Sequence, residues 1–81
     1  MIQLYVRDGC PYCQKVLAAT QEFGLKEGKD FTVVDAAPGT KGRDVVLDVG
    51  GKAMVPFMID GGISMYESDD IVAYLTPHKG V

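Results

Sequence analysis

Between Val6 and Pro11 the hydrophobic period of the chain changes from that of a strand to that of a helix, and few architectures accommodate the change. Ile2-Gln3-Leu4-Tyr5-Val6 is rich in β-forming residues, and Arg7-Asp8-Gly9 ends the run. With so few polar residues it reads as a central strand. From Pro11 onward Cys13, Val16, Leu17 and Thr20 fall at i, i+3, i+4 and i+7, the spacing of one helix face. Proline suits the first helical turn, where its missing N–H costs nothing, and Gly24 is the expected stop. Leu25 to Asp30 is polar and turn-like, and Phe31-Thr32-Val33-Val34 is a second strand ending at Asp35. Strand, crossover helix and strand make a right-handed parallel βαβ unit.

The remainder completes a sheet. Thr40 is placed to cap a helix with Val45, Val46 and Val49 on its apolar side, stopped by Gly50-Gly51. Its β-branched residues make packing, rather than propensity, the source of its stability. Val55-Pro56-Phe57-Met58-Ile59 and Ile63 to Tyr66, joined by Asp60-Gly61-Gly62, form a hairpin. Ser68, with Asp69 and Asp70 in the first turn, opens a last helix that buries Ile71, Val72 and Leu75 and ends at Pro77. The order β-α-β-α-β-β-α predicts an α/β fold, a four-stranded mixed sheet with helices on both faces. Residues 1–81 are expected to form one domain without a second.

Charge narrows the partners. Eight basic and eleven acidic residues give a net charge of −3, and no Lys/Arg cluster supports nucleic-acid binding. No 18-residue apolar run suits a membrane span, and Met1 to Val6 has neither the basic start nor the length of a signal peptide. The expected compartment is the cytoplasm, where a lone pair of cysteines is more often catalytic or metal-binding than a structural staple.

Three stretches carry chemistry. Cys10-Pro11-Tyr12-Cys13 places two thiols at a strand-to-helix boundary. There the first sulfur meets the positive end of a helix, where a thiolate is favoured, and the second lies one turn on. Cys10 is the candidate nucleophile, Cys13 the resolving thiol, and Arg7 and Lys15 are the nearest cations in sequence. Two inert small hydrophobes, or half of a shared zinc or iron–sulfur site, would read the same way. With only His78 besides, one chain cannot assemble four Cys and His ligands, so no metal is expected. The second stretch is Met54-Val55-Pro56. A cis bond there would leave the Val55 backbone able to pair with an extended peptide; a trans proline opening an edge strand is the default. The third, Glu67-Ser68-Asp69-Asp70, combines free helix N–H groups for a carboxylate with a carboxylate for an ammonium group. It fits an amino-acid head group, or simply a well-capped helix.

In this order the three stretches resemble the glutaredoxin family of the thioredoxin superfamily, over nearly the whole chain. Cys10-Pro11-Tyr12-Cys13 matches the dithiol active-site sequence of that family, Val55-Pro56 follows at the expected distance, and Arg7 stands where a lysine is usual. Tyr66-Glu67-Ser68 departs from the usual Gly-Gly and is similar to the glutathione-binding turn in N-terminal domains of glutathione transferases. The resemblance implies a thioredoxin-like fold and a cis Val55–Pro56 bond. It implies glutathione as co-substrate, its cysteinyl backbone on Val55 beside Pro56 and its γ-glutamyl end on Ser68 and Asp69. Arg7 and Lys52 become candidates for the glycine carboxylate, and Tyr12 would line the groove.

The activity implied is glutathione-dependent thiol–disulfide exchange by a monomer on disulfide-containing or glutathionylated proteins, Cys10 attacking and Cys13 resolving. Two alternatives accompany it: a redoxin reduced by a thioredoxin-reductase-type flavoprotein and serving ribonucleotide reductase, and a dimer holding an iron–sulfur cluster with glutathione.

Overall fold

The structure is a computed structural model that describes residues 2–80, with side chains as far as residue 76. His78 therefore lies outside the described side chains. Seven elements follow one another: β1 (Ile2–Val6), α1 (Pro11–Glu22), β2 (Phe31–Asp35), α2 (Lys41–Gly50), β3 (Phe57–Asp60), β4 (Ile63–Met65) and α3 (Ser68–Gly80). The sheet order is β2-β1-β3-β4. β1 runs parallel to β2, with Ile2 opposite Phe31 and Val6 opposite Asp35. It runs antiparallel to β3, with Leu4 opposite Met58, and β3 pairs antiparallel with β4. This is the expected thioredoxin-like arrangement with β1 inside the sheet.

Alternation along the strands divides the core into two layers. Ile2, Leu4, Phe31 and Met58 face α1 and α3 and pack with Val16, Ile71 and Leu75. Tyr5 and Phe57 face the other way, toward Ala36 and Val46 of the α2 side. α1 buries Cys13, Val16, Ala19 and Thr20, so the face expected from the spacing is the packed one. Its end is closed by Leu25 N–H donating to the Thr20 carbonyl (2.9 Å), a six-residue return bond that satisfies a last-turn acceptor.

Four boundaries differ from expectation. β3 begins at Phe57, two residues later than Val55, and is an internal strand, not the edge that a trans proline would open; the Val55–Pro56 bond is cis, as the resemblance implied. β4 stops at Met65, since Tyr66 turns away to bond the backbone of Lys52. α3 runs past Pro77 to Gly80; so near a helix end, proline forfeits one hydrogen bond without forcing the chain to leave the helical path. Finally, Ser68 is not the cap. Ile71 N–H donates to the Glu67 carbonyl (2.9 Å), which makes Glu67 the capping position and places Ser68 in the first turn.

α2 is held as its sequence suggested, by packing. Thr40 Oγ1 accepts from Arg43 N–H (3.2 Å), and Val46 is buried completely. Val49, expected on the apolar side, is 53% exposed. The helix instead approaches the sheet at Gly42, where a Cβ would stand 2.1 Å from the Asp35 carbonyl oxygen and 3.1 Å from Val34 Cγ1. A backbone oxygen cannot give way as a side-chain tip does. Gly42→Ala is therefore expected to destabilise the protein by about 1–3 kcal/mol or more, read as a lower urea midpoint at unchanged slope.

Candidate active site

The C-terminal end of β1 delivers Arg7, and the turn after it delivers Cys10 to the start of α1. Cys10 is the capping residue of that helix, in extended geometry (φ −96°, ψ 110°) with Pro11 following. Its Sγ accepts the backbone N–H of Cys13 at 3.2 Å, and its carbonyl accepts Gln14 N–H at 3.0 Å. A sulfur used as a helix cap receives a donated N–H and stands at the positive end of the helix. Cys10 and Cys13 are both free thiols and both buried, at 6% and 1% exposure.

Burial first, and then the hydrogen bond to Cys10, push the Cys13 thiol up to about 12, against a smaller opposing pull from the backbone of Arg7. Cys13 is thus the partner that keeps its proton at neutral pH while Cys10 occupies the cap.

Around this pair two depressions open. The first, about 350 Å³, is lined by Tyr12, Val55, Pro56, Ser68 and Asp69 together with Lys15, Met54, Tyr66 and Glu67. Five of the residues singled out in the sequence thus meet in one place. The second, about 520 Å³, holds Arg7, Cys10, Tyr12 and Val55 and adds Arg43, Ala53 and Met54. Tyr12 is 65% exposed and borders both. Val55 lies before β3 begins, and neither its N–H nor its C=O bonds to another described residue. Because the cap of α3 is Glu67, the Ser68 hydroxyl is not consumed in capping. Ser68 is only 8% exposed, and no hydrogen bond to its side chain occurs among the described residues. Every fully buried polar side-chain atom among those residues does have a partner, so this hydroxyl must open into the first depression.

Lys15, two residues past Cys13, points away from Cys10, as its place in the helix allows; its ammonium pairs with the Asp69 carboxylate, bridging α1 and α3 in the open. Lys52 lines neither depression. Its backbone is engaged instead: Tyr66 Oη accepts Lys52 N–H (2.9 Å) and donates to the Lys52 carbonyl (2.7 Å). Arg43, which no sequence signal marked, lies in the second depression, and its guanidinium donates to the carbonyls of Ala36 (2.9 Å) and Ala53 (2.5 Å). Among the described residues no group of three His, Cys, Asp or Glu side chains gathers into a metal-sized site. No helix there is long and apolar enough to cross a membrane.

Tyr66 answers the question raised by its place in the Tyr-Glu-Ser turn. Its ring packs on Phe57 (centroids 4.6 Å apart), beneath Gly50, where any Cβ would fall 2.1 Å from its hydroxyl oxygen. It braces the loop that leads into Val55 and also lines the first depression.

The family described as "Glutathione S-transferase, N-terminal domain" matches residues 4–80. This chain belongs to that family. Solved structures agree in fold. A glutathione transferase Omega 3C from Trametes versicolor superposes with a TM-score of 0.79 at 26% identity, over 95% of this chain and 33% of that one. A glutathione S-transferase from the Antarctic clam Laternula elliptica gives 0.78 at 26% identity, over 98% and 35%. Human glutathione S-transferase T1-1 gives 0.80 at 22% identity, over 100% and 33%. The chain thus spans about a third of the length of these transferases. No curated relative matches it. Within this glutathione S-transferase N-terminal domain fold, the dithiol cap and the Ser68 hydroxyl lie at one end of the sheet.

Two measurements test this geometry. Tyr66→Phe removes both bonds to Lys52 and is expected to cost about 1–3 kcal/mol, with faster amide exchange at Lys52 and its neighbours. The raised Cys13 thiol makes stability depend on pH. Below about 9, the ordinary value for this thiol, folded and unfolded chains both hold the proton; between about 9 and about 12 only the folded one does. The stabilising contribution is therefore lost as pH rises through that window. Urea titrations of the reduced protein are expected to show a steeper decline there than those of Cys13→Ala.

Proposed function

We propose that this protein is a glutathione-dependent thiol–disulfide oxidoreductase of the glutaredoxin type. The observation that carries the reading is Cys10 Sγ acting as the cap of α1 and accepting the Cys13 N–H. A second cysteine directly behind the first is what the dithiol route of disulfide exchange requires and what simple thiol binding does not. The membership in a glutathione transferase domain family supports glutathione as the co-substrate.

Glutathione is assigned to the two adjoining depressions. The Val55 backbone would pair with its cysteinyl residue, beside Pro56. Ser68 and the first N–H groups of α3 would take the γ-glutamyl carboxylate, Asp69 its ammonium, and Tyr12 would flank the tripeptide. Arg7 is the candidate for the glycine carboxylate, with Arg43 in the place first assigned to Lys52. Lys15 would have to share Asp69 with the ligand ammonium; exposed on both sides, the pair is held by at most about 1 kcal/mol.

In the monothiol route, Cys10 thiolate attacks the glutathione sulfur of a protein–glutathione mixed disulfide, and the protein leaves as a thiolate. A second glutathione thiolate then attacks the bound glutathione sulfur, which releases oxidised glutathione and regenerates Cys10 thiolate. In the dithiol route, Cys10 attacks a protein disulfide; Cys13 gives up its proton, attacks Cys10 Sγ and expels the substrate as its dithiol. Exchange is governed by thiolate fraction and leaving-group pKa, so a Cys13 that holds its proton leaves the first attack to Cys10.

A second reading follows from the family itself: the glutathione-binding portion of a transferase, in which Cys10 serves conjugation. Turnover of a glutathionylated peptide with glutathione, glutathione reductase and NADPH, run beside conjugation of an electrophilic aryl halide, separates the two. The oxidoreductase reading requires exchange that Cys10→Ser abolishes and Cys13→Ser retains. Conjugation without exchange, or exchange supported only by a thioredoxin-reductase-type flavoprotein, would overturn it. The cluster-binding alternative would declare itself as a visible chromophore lost on oxidation.

A further inference from the structure

β2 is an outer strand, and part of its outer edge is open. Ala36 N–H donates to the Val6 carbonyl (2.7 Å), and Tyr5 stands opposite Val34 in the parallel register. The backbone groups of Thr32 and Val34 therefore point at β1, and those of Phe31, Val33 and Asp35 point outward. The preceding loop covers only the first of these: Glu27 bridges to Phe31, and Gly28 N–H donates to the Phe31 carbonyl (2.6 Å). Past that point the N–H and C=O of Val33 and the N–H of Asp35 have no backbone partner among the described residues.

Beside this edge lies a groove of about 650 Å³ between β2 and α1. Leu17, Phe31 and Val33 form its apolar wall, and Asp8, Glu27 and Asp35 put carboxylates along it. Arg7 is the single cation in its lining and also borders the Cys10 depression. Natural edge strands are blunted by charged side chains, proline, bulges or a covering loop. In β2, Phe-Thr-Val-Val-Asp, the loop covers only Phe31 and Asp35 is the one charge, while all five residues stay in register with β1.

We propose that the β2 edge docks a short extended segment of another protein, added as a fifth strand, with a lysine or arginine at each of two positions four residues apart and a branched apolar residue midway. The charge of the groove selects a basic occupant, three carboxylates against one guanidinium. The register sets the spacing. Glu27 is level with Phe31, Asp35 lies about 13 Å further along the strand, and Val33 sits between them. The place beside Phe31 is held by Glu27 itself, so the added strand pairs only along Val33 and Asp35. Its apolar and second basic side chains, two positions apart on one face, would meet Val33 and Asp35. The first basic residue, just outside the paired stretch, would reach the Glu27 carboxylate. Main-chain bonds to Val33 and Asp35 would supply affinity, and the alternate side chains selectivity. The site is independent of the glutathione assignment.

The test is an amide NMR titration of the full chain with an acetylated, amidated Lys-Thr-Ile-Thr-Lys peptide, and with its counterpart carrying Glu in place of both lysines. Saturable shifts centred on the Val33 and Asp35 amides, with slowed hydrogen exchange at both, are expected for the first peptide and not the second. Glu27→Gln, an exposed change that leaves the fold alone, is expected to weaken binding about two- to five-fold. Val33→Pro removes the outward N–H, along with part of the side chain that packs on the core, and is expected to abolish it; should that variant not fold, Glu27→Gln decides. An equal response to both peptides, unaltered exchange at Val33 and Asp35, or no effect of Glu27→Gln would overturn the proposal. So would concentration-dependent broadening of these amides without peptide, which would assign the edge to a second copy of the chain.

Discussion

Everything at the candidate site hangs from β1. It is hydrogen-bonded on both sides, to β2 and to β3, and covered on both faces, by α1 and α3 through Leu4 and by the α2 layer through Tyr5. A strand so enclosed cannot shift register without exchanging its two faces. Its end therefore has a defined position, and the turn after it sets Cys10 at the start of α1. β3, antiparallel to β1, begins at the same end of the sheet, so Val55 and Pro56 arrive opposite Cys10. Ligands of open α/β sheets are commonly found at the carboxyl ends of their parallel strands, and the two depressions beside Cys10 and Val55 lie at that end of β1.

The loop that carries Val55 depends on two braces. Arg43 reaches from α2 to the carbonyls of Ala36 and Ala53, tying the end of β2 to the segment before Val55. Tyr66 does the same from the other side, through both backbone groups of Lys52. Each brace satisfies backbone groups that no sheet or helix serves, among them the carbonyl of the buried Ala36, which would be costly to leave unpaired. The consequence is that the Val55 backbone, unbonded among the described residues, is flanked by braced neighbours, and a surface positioned beforehand binds with less ordering cost.

Much of the fold was legible because it rests on period. The strand run Ile2–Val6, the helix face of Cys13, Val16 and Leu17, and the buried positions Ile71 and Leu75 all follow from spacing and came out as expected. The elements misjudged were those where a contact outside the element decides. Val49 has the right spacing yet stays exposed, because the close contact of α2 with the sheet is made at Gly42 and its last turn rests on Tyr66 through Gly50. Ser68 has the chemistry of a cap, yet Glu67 holds that position. Lys52 was chosen for its charge; its backbone is what the fold uses. Arg43 gave no local signal, since a surface arginine on a polar helix is ordinary, and Tyr66 was marked by its turn but not as a brace for Lys52.

By itself the sequence determined the order of elements, the βαβ handedness and the location of the reactive pair, since these depend on interactions between residues close in the chain. It also carried the three stretches from which a glutathione groove could be drawn. Only the tertiary structure decided the cis geometry before β3, the freedom of the Ser68 hydroxyl, the engagement of Lys15 with Asp69, and the contrast between a capping Cys10 and a deeply buried Cys13. Each of these depends on groups brought together from distant positions, where burial and hydrogen-bond partners are set by packing and not by the identity of the next residue along.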